Sequence, residues 1–243
     1  MRSPVRAALV GVLSAFALLV PLTLFASDPP AAVLDVRTGR IVTTDAYWTG
    51  SQYQVRCTIT YSPGRQDAVV VGESAYDDVD PRIALNSTSD TWVVWWRNAS
   101  TGQVLVRKRT DATATWGDER QVSSGDESSE HPRIVFDGTL PWVAYEVQGA
   151  NGKNIAVSAV IDDPQPIPLR TLLGTTTYLG DLDVLIASDS GHLWVTWVNS
   201  ETEIGWSEYD YGTGTWSAPS SESYASDSVD DARERIQSAV LGN

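Results

Sequence analysis

The sequence predicts an all-β fold, a β-propeller of about four blades, each a sheet of four antiparallel strands, and three observations predict it. The first is a repeat. Asp80-Pro81-Arg82-Ile83 leads to Thr91-Trp92-Val93-Val94-Trp95, His131-Pro132-Arg133-Ile134 to Trp142-Val143-Ala144-Tyr145, and Asp183-Val184-Leu185-Ile186 to Leu193-Trp194-Val195-Thr196-Trp197, with 51 residues from Pro81 to Pro132 and again from Pro132 to Asp183. Such a period marks a unit that cannot bury its apolar surface alone. The second observation is that Trp92, Val94 and Trp96 alternate with Val93 and Trp95, so both faces of the strand are apolar and both need cover. The third is the punctuation. A turn-rich gap follows each such strand, 98–102 or 149–153, then a third strand (Val104–Arg107, Ile155–Ser158, Ile204–Ser207) and a fourth (Arg120–Ser123, Pro168–Leu172, and one near Trp216–Ala218). Four antiparallel strands in about 50 residues, repeated and covered on both sides, are the build of a propeller blade.

The chain opens with Arg2 and Arg6 before an uncharged run from Ala7 to Ser27, which Asp28-Pro29-Pro30 ends. This reads as an export signal over residues 1–26, with Ala26 its last residue. The run over 7–27 is also long enough to span a bilayer, so the alternative is an N-terminal anchor that is not cut. Either way the bulk of the chain is extracytoplasmic, secreted or periplasmic. The blades follow near 32–77, 78–128, 129–179 and 180–226, within a repeat region of 27–226. The first is divergent, with strands at Ile41–Thr44, Tyr53–Ile59 and Ala68–Val71. The tail, 227–243, predicts a short amphipathic helix, with Asp227 or Ser228 as its cap and Val229, Ala232, Ile236 and Val240 on one face. A propeller has to close, which predicts either a self-contained ring of four blades or a homo-oligomer that completes it.

Charge and composition exclude several functions. The formal net charge is −14, and loss of the signal takes it to about −16. That argues against nucleic acid and against anionic membrane surfaces, and leaves the N-terminal segment as the only expected link to a membrane. Cys57 is the single cysteine, so no disulfide forms within the chain. Neither His131 nor His192 has a Cys or a second His at metal-ligand spacing, which argues against zinc, and no metal residue is assigned. The acids Asp77, Asp78, Asp80, Glu130, Asp181 and Asp183 gather before the first strands. They read as a solvated rim; no cofactor is expected, with calcium the one weak alternative.

Between the third and fourth strands of one repeat, Thr110-Asp111-Ala112-Thr113-Ala114-Thr115-Trp116 resembles a worn Asp-box, and Asp210-Tyr211-Gly212-Thr213-Gly214-Thr215-Trp216 resembles it with one residue inserted. This turn marks the bacterial neuraminidase repeats of sialidase-like propellers, so residues 78–220 resemble that superfamily. The resemblance implies the propeller architecture. In its catalytic members three arginines hold a substrate carboxylate, a tyrosine paired with a glutamate attacks, and an aspartate serves as acid and base. Arg82 and Arg133 occupy equivalent blade positions here, but Val184 stands in the third repeat and the proline precedes the arginine. No catalytic residue is carried over.

The expectation is therefore a degenerate, non-catalytic member of that superfamily, a binding or scaffold module for a carbohydrate or protein ligand. The alternatives are a glycoside hydrolase of sialidase type and a structural component of a cell-surface assembly. Candidate ligand-binding residues are Arg82, Arg133, Trp96, Arg97 and Trp206. The competing reading of the arginines is ion pairing with an acid such as Asp80 or Glu130. Seven of the ten tryptophans are claimed by the core or by turns; Trp48, Trp96 and Trp206 are less constrained, and of these Trp96 and Trp206 are the candidates to stack on a ligand.

Overall fold

A strand that is apolar on both faces has to be sandwiched, and the computed structural model stacks four sheets in chain order to do it. The structure describes residues 31–149, 152–161, 169–176, 184–189, 192–200 and 202–223. The export segment, the tail helix, Asp181 and Asp183 lie outside the described residues. The first sheet runs β1 (Ala31–Asp35), β2 (Arg40–Trp48), β3 (Tyr53–Thr60) and β4 (Gln66–Gly72). In the second, β5 (Asp77–Leu85), β6 (Thr91–Asn98) and β7 (Gln103–Thr110) are followed by two short strands that both pair with β7, β8 (Thr115–Trp116) and β9 (Arg120–Gln121). The third runs β10 (Ser129–Phe136), β11 (Pro141–Gly149), β12 (Gly152–Ala159) and β13 (Leu169–Thr176). The fourth holds β14 (Leu185–Asp189), β15 (His192–Ser200) and β16 (Glu203–Asp210), with β17 (Thr215–Trp216) and β18 (Ser220–Ser223) on β16. Each sheet is an antiparallel four-stranded path, and the architecture is the four-bladed propeller that the repeat predicts.

Two elements differ from the sequence reading. The first blade has an inner strand, β1, that was not expected, because its five residues are too short to show alternation. The outer strand of the fourth blade is β18, beyond Trp216–Ala218. Its residues Ser-Ser-Glu-Ser are all exposed and carry no apolar signal.

Between consecutive sheets lie three cores. Val42, Val55, Cys57, Ile59 and Val71 of the first meet Val93, Trp95 and Leu105 of the second. Trp92, Val94, Val104 and Val106 turn the other way, onto Val143, Tyr145 and Ala156 of the third. Trp142, Ala144, Ile155 and Val157 then meet Val184, Ile186, Leu193, Val195 and Trp197 of the fourth. The alternation predicted for β6, β11 and β15 is thus the alternation between two neighbours. Among the described residues, no comparable packing joins the fourth sheet to the first. The outward face of the first sheet is mixed: Leu34, Ile41 and Val70 share it with Arg56, which gives Asp45 two hydrogen bonds of 3.1 and 2.6 Å and stacks over Tyr47.

Candidate functional site

The two inner strands β5 and β10 break at the same place. Pairing with the next strand shifts between Val79 and Arg82 and again between Glu130 and Arg133. In each bulge the residue before proline has a left-handed backbone, Asp80 at φ 49° and His131 at φ 52°. Neither is glycine, so each bulge holds backbone strain of the kind that persists only where its surroundings over-determine it. Bulges re-aim side chains, and here they send two arginines to one acid. Asp80, buried, forms ion pairs with Arg82 Nη2 at 2.5 Å and Arg133 Nη1 at 3.0 Å. Each arginine also donates to the carbonyl of its preceding proline, at 2.9 Å from Arg82 and 2.8 Å from Arg133. Both guanidinium side chains keep about a fifth of their surface exposed (21%).

Beside this triad lies a second constellation. Glu146 on β11 occupies the place that Trp96 holds on β6, yet it is buried. Lys153 donates to it at 2.8 Å and lies 3.0 Å from Glu130, while His131 Nδ1 is 3.2 Å from its other oxygen. Burial pushes the Glu146 carboxyl up, but His131 and Lys153 more than reverse this and hold it below its usual value. Glu130, His131 and Glu146 bring ligand atoms within 4.8 Å of one another, a spacing that suits a cation. Lys153 already places its ammonium against both carboxylates there, 3.0 Å from Glu130 and 2.8 Å from Glu146.

The same arrangement answers for catalysis. Glu130 and Glu146 approach as closely as the carboxyl pair of a retaining glycosidase. A general acid, however, needs a carboxyl pushed up and open to substrate. Glu146 is pushed down, fully covered and bridged to Glu130 by a lysine.

The remaining candidates fall out separately. Arg97 donates from Nε and Nη2 to Asp78 at 2.7 and 2.9 Å, and from Nη1 and Nη2 to Glu119 at 2.7 and 2.8 Å. Burial alone would lower Arg97, but these two acids hold it above its ordinary value. Its fork is engaged on both sides by protein carboxylates. Trp96 is half-buried, its ring 6.1 Å from His131, and a methyl group on Gly102 would lie 2.8 Å from its indole nitrogen. It walls the site. Trp206, 37% exposed, lies on β16 of the fourth blade, apart from the arginines. Two of the acids, Asp78 and Asp80, are not part of a solvated rim: they are buried in ion pairs, because each faces an arginine from a neighbouring strand or blade, whereas Asp77 and Glu130 are half-buried.

Sequence reasoning did not find Glu146 and Lys153. A signal existed, since a glutamate standing where its sister repeats have Trp96 and Val198 breaks an apolar period. Nor did it bring the exposed Trp48 together with the half-buried Tyr53, their ring centroids 5.1 Å apart. Tyr53 N–H donates to Asp77 at 2.8 Å, which ties this hairpin of the first blade to the start of β5.

Fold and repeat together define a four-bladed β-propeller. Among solved structures the chain is similar to the intramolecular trans-sialidase from Ruminococcus gnavus in complex with oseltamivir carboxylate, at 7% identity and a TM-score of 0.58 over 83% of this chain and 71% of that one. A mutant NanB sialidase from Streptococcus pneumoniae superposes at 0.54 with 7% identity, over 86% of this chain and 55% of that one. Trypanosoma rangeli sialidase in complex with the inhibitor DANA does so at 0.51 with 11% identity, over 77% and 37%. The chain therefore spans between about a third and three quarters of these proteins. No protein-family model matches the sequence, and no curated protein matches it significantly.

Proposed function

We propose that this is an exported, non-catalytic binding module whose ligand is a carbohydrate bearing a carboxylate, received where Arg82 and Arg133 converge on Asp80. The observation that carries the reading is that convergence. Two guanidinium groups from successive blades are fixed by proline carbonyls and a shared buried acid, and each keeps part of its surface open to solvent. Planar, pre-oriented arginines suit a carboxylate. The trans-sialidase of the same fold was crystallised with oseltamivir carboxylate, a ligand of that charge. Hydrolysis is disfavoured because Val184 is buried in a core where a third arginine would stand, and because Glu146 is held ionised. Among the described residues no helix is long and apolar enough to cross a membrane, and export rests on the N-terminal segment alone.

The test is a glycan array probed with the purified chain and with Arg82→Ala and Arg133→Ala. The expected result is binding to carboxylated sugars that falls about tenfold or more in each variant, as for the loss of one charge-assisted contact. No sugar should be released on prolonged incubation. Binding to neutral sugars alone, or binding that ignores both arginines, sinks the site. Binding only to a protein partner sinks the ligand class, and turnover sinks the non-catalytic assignment.

A further inference from the structure

In each blade one row of alternate residues on the second strand faces the next blade, and in the first blade this row ends differently. In β6 the row Trp92, Val94, Trp96 ends on Asn98, and in β11 the row Trp142, Ala144, Glu146 ends on Gln148. Both end residues are exposed and polar, as befits a position beyond the core. In β2 the row Val42, Thr44, Ala46 ends on Trp48, which keeps 53% of its surface in solvent. Burial against the second blade does not account for an indole there.

The surroundings of Trp48 hold it still. Tyr53 stands opposite it across the hairpin, the two ring planes tilted by 58°. Thr49 closes the turn, its amide donating to the Gln52 carbonyl at 3.0 Å and its hydroxyl at 2.9 Å. Gln52 Nε2 donates to the Ser74 carbonyl and the Tyr53 amide to Asp77, so the hairpin is braced against the segment that opens the second blade. That segment carries Tyr76, 49% exposed, whose amide and carbonyl are both engaged by the Ser74 hydroxyl at 3.0 Å. Three aromatic rings thus stand on two braced segments, with Thr49 and Ser51 exposed at the rim. A fixed apolar face edged by hydroxyls suits a sugar ring, whose C–H face stacks on an aromatic while its own hydroxyls meet the polar edge. Exposed Glu73 and half-buried Asp77 flank it and repel an anion, so the ring is a neutral one. Asp77, which anchors Tyr53, and Asp80, which gathers Arg82 and Arg133, are three residues apart on β5, about 10 Å of strand. Linked sugar rings span such an interval.

We propose that Trp48 and Tyr53, with Tyr76, form a stacking subsite for a neutral sugar ring, the part of a glycan that follows the carboxylated residue received at Arg82 and Arg133. Its place in the ligand rests on that reading of the arginines; its stacking rests on the rings alone. Nuclear magnetic resonance of the indole N–H groups tests it, the Trp48 signal being assigned by its loss in Trp48→Thr. Lactose or cellobiose at millimolar concentration should shift that signal in the wild type and equally in Arg82→Ala. Sialyllactose should bind about three- to tenfold more tightly than free sialic acid, as for one added stacking contact. Trp48→Thr should abolish that difference and leave the affinity for sialic acid unchanged, whereas Arg82→Ala should weaken both ligands. A Trp48 signal that ignores all three oligosaccharides overturns the proposal, whatever the arginines do. So does a gain for sialyllactose that survives Trp48→Thr, or a substitution that lowers the melting temperature and leaves binding intact, since Trp48 then only steadies its hairpin. A Trp48 signal that moves with the neutral disaccharides while Arg82→Ala leaves sialic acid binding unchanged supports the stacking subsite and overturns the carboxylate site alone.

Discussion

Arg133 Nη1 lies 3.0 Å from Asp80 Oδ2, so a guanidinium rooted in the third blade closes on a carboxylate rooted in the second. Arg82 approaches the other oxygen of the same group. Removing the acid leaves two neighbouring cations without their counterion, which is costlier than removing either cation. Because both arginines are partly solvated, Asp80→Asn should lower unfolding stability by about 1–3 kcal/mol, short of the cost of an orphaned charge in a dry core. Arg82→Ala should cost less than about 1 kcal/mol, since Arg133 still covers Asp80. Urea unfolding of the two variants ranks them, and the reverse order would mean that the arginines hold the blades and the acid does not.

At the far end of the first two blades a different acid sets the response to pH. Asp35 accepts hydrogen bonds from the amides of Arg37 and Thr38, from Thr38 Oγ1 at 2.6 Å and from Arg40 Nε at 3.0 Å. Burial pushes its carboxyl up, but hydrogen bonds from Ser89, Thr38 and the turn amides bring it down to about 2. Arg40 continues to Asp111 of the second blade. A depressed carboxyl contributes stability that is complete above its unfolded value near 4 and is lost as pH falls towards 2, here about 2 kcal/mol. Stability measured from pH 5 to pH 2 should fall more steeply in the wild type than in Asp35→Asn, which is already destabilised at neutral pH. Parallel curves would remove Asp35 from the account.

Cys57 sits on β3, its thiol enclosed in the core between the first and second sheets. Burial pushes it up to about 12. Only the thiolate attacks a disulfide reagent, so at pH 8 the native thiol should react at least about 1000-fold more slowly than in urea-unfolded chain. The rate in the folded protein then measures the opening of the first blade. Reaction at the unfolded rate would show that this blade frays without the rest.

How much of this was legible follows from what repeats. Trp92, Val93, Val94 and Trp95 announce a strand buried on two sides because three copies of the pattern average out the accidents of any one. Arg82 and Arg133 were visible as an equivalent pair for the same reason, although their common target, Asp80, depends on a bulge that no periodicity encodes. Glu146, Lys153 and the Asp78–Arg97–Glu119 clamp were not legible. Their partners come from different strands and blades, and a charge inside an apolar strand reads as an exception until its counterion is seen. Strand β18 was missed because Ser-Ser-Glu-Ser forms a strand through its backbone pairing with Glu203–Trp206 alone.

Gly205 stands opposite Trp197, at the position filled by Leu105 opposite Trp95 and by Ala156 opposite Tyr145. A methyl group on Gly205 would come within 2.4 Å of the Trp197 indole, closer than any side chain tolerates. Trp197 is buried against the third blade, in an interior where close packing leaves a side chain little room to shift. Gly205→Ala should therefore destabilise the protein by about 1–3 kcal/mol through overpacking, even though alanine suits a strand better than glycine. Gly72→Ala is the control, since a methyl group there meets Trp95 of the next blade only at 3.0 Å and a small shift relieves it. In thermal unfolding the Gly205 variant should melt lower than the Gly72 variant, and Trp197→Phe combined with Gly205→Ala should recover part of the loss by removing the ring that clashes. Equal melting temperatures would mean that the fourth blade yields to the added methyl as a unit, sliding over the third without losing its packing.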